Sequence, residues 1–259
     1  MLPQPSIEPA RQRQPVVLMY HSVAADPEDP YRVTVSPQRF AEQMRWLDRR
    51  GLRGVSMGQL LDARRRRCDA GLVGLTFDDG YDDFVRYALP VLQRHGFSAT
   101  AFVIAGKFGG SNNWDPLGPR KPLMTASQVR TAAAAGIEIG SHGLRHVSLN
   151  QLTDIELSRE QRLSRKILQD VTGSAISGFC YPYGHLCSWV AEGAQAAGYD
   201  YACATGASGL TGRYAMPRVY VGESDGPARL RAKLLRQRLT SANGSAAAAS
   251  EGGGLRRTA

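Results

Sequence analysis

The sequence predicts an α/β barrel, in which parallel strands alternate with helices around one hydrophobic core. A helix repeatedly ends in a glycine and an aliphatic or aromatic residue then opens a strand, as at Gly51-Leu52, Gly96-Phe97, Gly136-Ile137 and Gly198-Tyr199. Strands that alternate with helices favour parallel βαβ units. The count of about seven or eight strands in roughly 220 residues favours a barrel over an open sheet. No glycine-rich phosphate loop follows the first strand, which counts against a dinucleotide-binding sheet.

The composition fits one globular domain with two irregular ends. The chain has 259 residues, of which 42% are hydrophobic and 21% are charged, and these values are ordinary for a globular protein. Residues 1–14 are rich in Pro, Gln and Arg and predict a disordered lead-in. We expect residues 15–239 to form the folded domain. Residues 240–259 are rich in Ser, Ala and Gly and predict a flexible tail.

The first elements follow from local patterns. Val16–Tyr20 is a short apolar run that predicts the first strand, ending at His21. Ser36-Pro37 predicts a helix start, with Ser as the cap and Pro in the first turn. Leu72–Phe77 is a longer apolar run and predicts a buried strand.

The later elements repeat this alternation. Lys107–Leu123 has no periodicity and predicts a long loop after a strand, on the face of a barrel where active sites lie. Thr153–Glu156 is a capping box that predicts a helix start, and Gly173 predicts its end. A strand is expected around Phe179.

The charge and the cysteines indicate a solvated surface and reduced thiols. The formal net charge is +9, carried mostly by arginine, and no aromatic residues are interleaved as a nucleic-acid groove requires. We therefore expect no nucleic-acid partner. The four cysteines have no CxxC pair or zinc-finger spacing, which favours free thiols over a disulfide framework; they are Cys68, Cys180, Cys187 and Cys203.

No targeting or membrane segment is evident in the sequence. No apolar run approaches the roughly 18–20 residues that span a bilayer. The first residues lack a basic stretch followed by an apolar one, so no secretory signal is seen. The sequence as given predicts a cytoplasmic protein, or a secreted one only if a signal has been removed.

The strand at Leu72–Phe77 ends in Asp78-Asp79-Gly80, the first motif. Asp and Gly are common in turns, and by itself this motif predicts only a turn. Side chains alternate faces along a strand, so Asp78 and Asp79 are expected to point in different directions. That arrangement suits two carboxylates with two roles, one holding a metal and one handling a proton.

The second motif pairs His142 with His146 at the end of a predicted strand. If the segment turns helically, both imidazoles lie on one face and can bind one metal ion. Two histidines at this spacing are often accidental. With Asp79 as a third ligand, they make an open two-His, one-carboxylate site with room for water.

The third motif is Phe179-Cys180-Tyr181-Pro182-Tyr183-Gly184. By itself it predicts a buried strand that ends in a Pro-Gly turn. Its interest lies in its position, because it follows the aspartate and histidine motifs in chain order.

Together the three motifs resemble the polysaccharide deacetylase family, the NodB-homology group of carbohydrate esterases. Thr76–Gly80 matches the family's T-F-D-D-G motif in full. His142 and His146 match H-[ST]-x-x-H, with Gly143 at the Ser or Thr position. The resemblance covers residues 15–225 and is specific for the family rather than for a substrate.

The third motif resembles the family's R-x-P-Y. Pro182-Tyr183 matches its end, whereas Cys180 stands at the Arg position. Met19–His21 and Met216–Arg218 resemble the branch that includes poly-N-acetylglucosamine deacetylases.

This resemblance implies a distorted (β/α) barrel of about seven strands and metal-dependent N-deacetylation. Asp79, His142 and His146 would bind one divalent ion, zinc first, with cobalt, nickel or manganese as alternatives. Asp78 would be the general base that deprotonates the attacking water. The metal and the backbone N–H of Tyr183 would hold the oxyanion.

Two departures from the family pattern change the expected roles. Because Cys180 replaces the usual Arg, Arg218 on a later strand is the candidate to supply that charge. No histidine follows His185, so the family's usual late general acid is missing. We expect His21, at the end of the first strand, to take this role in preference to His185. His95 is expected to cap a helix.

The expected substrate is an N-acetylated carbohydrate. Trp114, in the long loop, and Tyr183 are candidates to stack on sugar faces, and His185 and Arg218 are further candidates for substrate contacts. Trp189, at a predicted helix start, is expected in the core. The sequence leaves the oligomeric state open.

The sequence leaves other functions open. The same fold could hydrolyse a non-peptide C–N bond in a small molecule, or deacetylate a soluble or lipid-linked sugar intermediate. A catalytically inactive carbohydrate-binding protein is disfavoured, because a binding module needs no base beside a metal. Nucleic-acid binding is suggested by charge alone and ranks last.

Overall fold

The centre of the molecule is a curved sheet of parallel strands, seen in a computed structural model that describes residues 14–25, 29–205 and 210–247. The strands of this sheet are β1 (Val17–Tyr20), β4 (Arg53–Val55), β5 (Leu72–Phe77), β6 (Thr100–Val103), β7 (Glu138–Ser141), β8 (Gly178–Cys180), β9 (Tyr201–Cys203) and β10 (Val219–Tyr220). Two shorter strands, β2 (Ser22–Val23) and β3 (Thr34–Val35), pair with each other beside it.

The strand order is β10-β1-β5-β6-β7-β8-β9, with β4 paired to the first half of β5. Every pairing in this sheet is parallel. The predicted barrel of about seven strands is confirmed, as an α/β half-barrel. The carboxyl ends of its strands meet at one edge, so the residues that follow β5, β7 and β8 come together there.

Helices pack around the sheet, and two of them begin at the predicted caps. They are α1 (Pro37–Arg49), α2 (Met57–Arg65), α3 (Leu89–Arg94), α4 (Ala126–Ala134), α5 (Asp154–Thr172), α6 (Ser188–Ala196) and α7 (Pro227–Ala247). Ser36 caps α1, and the capping box of Thr153 and Glu156 begins α5. Gly173 ends α5 in the left-handed conformation, with φ of 67°. Over the described ranges, no helix combines the length and the apolar character that crossing a bilayer demands.

The segment Met216–Tyr220 contacts both edges of the sheet. Met216 forms a parallel bridge with Cys203 of β9, and β10, which begins three residues further on, pairs with β1. Arg218 lies between these two pairings. The chain just before β10 therefore places Arg218 between β9 and β10, the two ends of the sheet order.

An aromatic cluster supports the end of β5 from which the two aspartates follow. Phe77, the last residue of β5, stacks on Tyr20 and meets Phe40 and Phe84 edge-on, with ring centroids 4.8–5.7 Å apart. All four rings are buried. Aromatic pairs of this geometry add to the stability from burial alone and fix the position of the strand end.

The predicted loop Lys107–Leu123 is confirmed as irregular, and it is held to the fold at its end. Lys121 is buried and donates hydrogen bonds to the hydroxyls of Ser22, at 2.9 Å, and Thr34. Ser22 in turn donates to the Asp83 carboxylate at 2.6 Å. This buried polar network ties the loop to β2, β3 and the chain after β5.

Part of the predicted tail is helical. Residues 240–247 continue α7, which runs to Ala247. The helix is already established on buried Leu230 and Leu234, and extending a helix costs less than starting one. The remaining tail, residues 248–259, and residues 1–13 of the predicted lead-in lie outside the described residues.

Candidate metal and catalytic site

The two aspartates at the end of β5 diverge, as predicted. Asp79 and Gly80 both have positive φ, 70° and 71°, so the chain turns sharply after Asp78. Gly80 is required, because a Cβ there would also lie 3.2 Å from a methyl of Val103. Both carboxylates are buried, at 2% and 4% exposure, yet they have different partners.

Asp79 meets the two histidines of the second motif. Its Oδ1 lies 3.3 Å from Nε2 of His142 and 3.3 Å from Nε2 of His146. This oxygen is buried and has no partner with hydrogen-bond geometry among the residues described. Ligands about 2.0–2.1 Å from a tetrahedral Zn²⁺ would lie about 3.3–3.4 Å from one another. The donor types and their spacing therefore fit one divalent cation.

The two imidazoles meet Asp79 without the helical turn that would place them on one helix face. Residues 142–146 form an irregular turn, with φ of 79° at Gly143 and 60° at His146. The buried carboxylate of Glu160, on α5, accepts the N–H groups of Leu144 and Arg145 at 2.7 and 3.1 Å. Its interaction with the turn, rather than a helix, brings the imidazoles to a centroid distance of 5.1 Å.

The two imidazoles are oriented differently. Nδ1 of His142 lies 2.9 Å from the carbonyl oxygen of Cys180, so it donates there and leaves Nε2 directed at Asp79. Burial alone would lower the pKa of His142, but Asp79 and Asp78 raise it. For His146, burial is the larger effect and its pKa is lowered. Burial would raise the pKa of Asp79, but the two imidazoles lower it well below its usual range.

Asp78 is held by Arg218. The guanidinium donates from Nη1 to Oδ1 at 2.6 Å and from Nη2 to Oδ2 at 2.7 Å, and it also binds the hydroxyl of Thr76 and the carbonyl of Ala204. Burial would raise the pKa of Asp78, but the charge and hydrogen bonds of Arg218 outweigh it and lower that pKa. Asp78 is therefore ionised at neutral pH and available as a base.

The position of Arg218 fits one of its two predicted roles. Nη2 of Arg218 lies 3.0 Å from Sγ of Cys180, the residue that stands at the family's arginine position. Arg218 therefore occupies the place expected for a substitute of that arginine. A cysteine is small enough to leave room for the incoming guanidinium. The side chain has no exposed surface, so the predicted substrate contact does not match its position.

The two candidate general acids lie at different depths. Nε2 of His21 is 3.9 Å from Oδ2 of Asp78, and the side chain is 15% exposed. His185 is exposed, and its Nδ1 lies 2.7 Å from the hydroxyl of Ser148. His21 is thus beside Asp78, whereas His185 is exposed.

Two aromatic side chains flank His146. The Trp114 indole stacks on the imidazole, at 4.4 Å between centroids and 28° between planes. Tyr183 meets the same imidazole edge-on at 4.5 Å. Tyr183 is 48% exposed and can still meet a ligand, but one face of Trp114 is covered and is not available to a sugar.

Sequence reasoning missed Glu160 and the stacking of Trp114. Glu160 belongs to the buried stripe of α5, with Leu157, Gln161, Ser164 and Leu168. A charged residue on an inward helical stripe is unusual and needs a partner, so it was a usable signal. The stacking of Trp114 on His146 joins a loop to a distant turn and has no local signal.

A parallel half-barrel with convergent carboxylates and imidazoles at the carboxyl ends of its strands is the arrangement of an α/β-barrel hydrolase. Comparison with known families gives a narrower answer. The profile of the polysaccharide deacetylase family matches residues 65–202. The chain belongs to this family.

Its relatives agree with this assignment. The chain is 30% identical over 210 residues to YxkH of Bacillus subtilis, named among polysaccharide deacetylases, covering 79% of this chain and 70% of YxkH. It is 30% identical over 140 residues to the poly-beta-1,6-N-acetyl-D-glucosamine N-deacetylase of Escherichia coli K12; that match covers 49% of this chain and only 20% of the relative. The structure of IcaB from Ammonifex degensii superposes with a TM-score of 0.73 at 26% identity, over 86% of this chain and 97% of IcaB.

Proposed function

We propose that this protein is a metal-dependent N-deacetylase that removes acetyl groups from an N-acetylated amino sugar and releases acetate. The substrate would be a polysaccharide, an oligosaccharide or a sugar intermediate. The observation that carries the proposal is the separation of roles at the end of β5. Asp79 faces two imidazoles, whereas its neighbour Asp78 is ionised and held apart by Arg218.

Asp79, His142 and His146 would hold a divalent ion, zinc first, with cobalt, nickel or manganese as alternatives. Such an ion supplies Lewis acidity, which polarises the acetamide carbonyl and makes water a better nucleophile. The donor set supports this role, because its nitrogen and oxygen ligands suit zinc and it leaves a position open.

The remaining steps use this chain's own groups. Asp78 accepts the proton of the attacking water, and Arg218 holds its carboxylate in place. His21, beside Asp78, donates a proton to the nitrogen of the leaving amine. The backbone N–H of Tyr183, for which no acceptor occurs among the described residues, stabilises the oxyanion. The exposed side chains of Tyr183 and His185 contact the sugar at the rim.

The test is acetate release from purified protein. Chito-oligosaccharides, β-1,6-linked N-acetylglucosamine oligomers and nucleotide-linked N-acetylamino sugars would each be offered with and without zinc. Asp78→Asn is compared with Asp62→Asn, which makes the same change at an exposed carboxylate on α2. We expect metal-dependent release that Asp78→Asn abolishes and Asp62→Asn preserves.

Other outcomes would contradict the proposal. Release without metal, or release that survives Asp78→Asn, contradicts the assigned chemistry. Hydrolysis of cyclic amides, with no release from any of the sugars, would support the small-molecule C–N hydrolase instead.

A further inference from the structure

We infer that Trp114 is a positioning residue for the metal ligand His146, and that its indole replaces the hydrogen bond that usually orients such an imidazole. This inference rests on the proposed metal site. It reassigns Trp114 from sugar stacking to the support of the site, and it makes loop 107–123 part of the metal centre.

The first step in the argument is the asymmetry between the two histidines. Nδ1 of His142 donates to the carbonyl of Cys180, the usual arrangement for a metal-bound imidazole. Nδ1 of His146 is buried and has no hydrogen-bond partner in the described part of the chain. On its Nδ1 side, therefore, no hydrogen bond orients the His146 ring, and its polar neighbour is Asp79 on the Nε2 side.

Packing supplies that constraint. Trp114 stacks on the His146 ring with 4.4 Å between ring centroids, and Tyr183 contacts it edge-on at 4.5 Å. The imidazole is therefore packed between two aromatic rings. His146 is only 7% exposed. Its backbone is in the left-handed region, with φ of 60°, a conformation that persists where the surroundings over-determine it.

Trp114 is itself held in place. Lys107 lies over the indole, with Nζ 5.6 Å from the ring, and also donates to the side-chain carbonyl of Asn113 at 2.8 Å. The adjacent Asn112 is buried and closes the loop on itself. Its side chain accepts from Lys121 N–H at 2.7 Å and donates to the Pro119 carbonyl at 3.1 Å. The indole is thus presented by an ordered loop.

This arrangement predicts that a flat ring is needed at position 114, whatever the substrate. Loss of an outer partner of a ligating histidine typically weakens metal binding about 10–100-fold. We expect a loss in this range for Trp114→Ala and Trp114→Leu. Trp114→Phe keeps a ring face, and we expect it to lose less than about tenfold, the lower end of that range.

The experiment measures metal affinity directly. Each full-length protein is stripped with a chelator and titrated with Zn²⁺ against a chromophoric competitor, and the visible spectrum of the Co²⁺ form reports ligand geometry. Trp46→Ala removes a partly buried tryptophan from α1 and controls for the loss of an indole. His146→Ala is the reference for loss of the ligand. Circular dichroism verifies the fold of each variant.

The outcomes separate the inference from the proposed function. Weak binding and an altered Co²⁺ spectrum in Trp114→Ala and Trp114→Leu, but not in Trp114→Phe or Trp46→Ala, support it. Parent-like affinity in Trp114→Ala with loss in His146→Ala overturns the positioning role and leaves the metal site standing. Parent-like affinity in His146→Ala overturns the metal site itself. If Trp114→Ala does not fold, the zinc affinities of Trp114→Leu and Trp114→Phe decide: weak binding in the first alone supports the positioning role, and equal affinity overturns it.

Discussion

Arg218 and Asp78 form two parallel hydrogen bonds, at 2.6 and 2.7 Å, with almost no exposed surface on either side chain. The planar guanidinium matches a carboxylate in this bidentate geometry, which a lysine cannot reproduce. The pair fixes both the charge and the orientation of the proposed base.

Removing the arginine should be costly for the fold and for the reaction. Arg218→Met leaves Asp78 as a buried carboxylate without its counter-ion, and we expect a loss of about 3–5 kcal/mol in the free energy of unfolding. Urea denaturation measures this, with Arg213→Met, at an exposed neighbour, as the control. The interpretation of Arg218 fails if both variants are equally stable.

Glu160 should matter for the metal site although it contacts no ligand directly. Glu160→Gln weakens the acceptors for the N–H groups of Leu144 and Arg145, so we expect a loss of about 1–3 kcal/mol in stability and weaker zinc binding. Glu156→Gln is the matched control, because Glu156 also accepts a backbone N–H but is exposed. Equal zinc affinity in both variants would show that the turn does not depend on Glu160.

The choice between the two candidate acids can be made kinetically. His21→Gln removes the proton donor beside Asp78, and we expect kcat to fall about 10²–10⁴-fold at unchanged metal content. His185→Gln should raise KM with little change in kcat, because His185 lies at the rim. His95→Gln, at the end of α3, serves as the control. A larger loss of kcat in His185→Gln than in His21→Gln would reverse the assignment.

The stability gained from metal should rise with pH. In the metal-free protein, the raised pKa of His142 contributes stability below its ordinary 6.5, and this is lost as pH rises through the raised value. The lowered pKa of Asp79 contributes above its ordinary 3.8, and this is lost as pH falls through the lowered value. Both contributions are present between pH 3.8 and 6.5, where the lowered pKa of His146 opposes them.

Metal binding requires a neutral His142 and so competes with its proton. We expect the increase in Tm caused by zinc to be small at pH 5.5 and larger at pH 8, as differential scanning calorimetry with and without zinc would show. His142→Ala should remove the increase at both values. An increase that is independent of pH would contradict this linkage.

The sequence predicted what is encoded locally. The strands and helices follow from hydrophobic runs, caps and helix-ending glycines, and Asp79, His142 and His146 follow from short motifs at strand ends. The turn between the two histidines is not the helical one that their spacing allowed, because its shape depends on Glu160 of α5 and on positive φ at Gly143.

The contacts of Asp78 were harder to predict. Arg218 is 140 residues away, and its role could be suggested only because Cys180 stood where an arginine was expected. The stacking of Trp114 on His146 is equally non-local, since it depends on how loop 107–123 folds against a turn that follows β7. Such pairings are set by the tertiary fold, and single-sequence periodicity carries no information about them.

The position of Arg218 between β9 and β10 has a consequence for biosynthesis. All of the proposed metal ligands, the base and Tyr183 leave the ribosome before Met216–Tyr220 does. Until that segment docks, Asp78 lacks its counter-ion, and burying its charged carboxylate at the end of β5 is unfavourable. The nascent chain therefore cannot complete the proposed active site early. A polypeptide released before this point would carry the three motifs, but its Asp78 would lack Arg218.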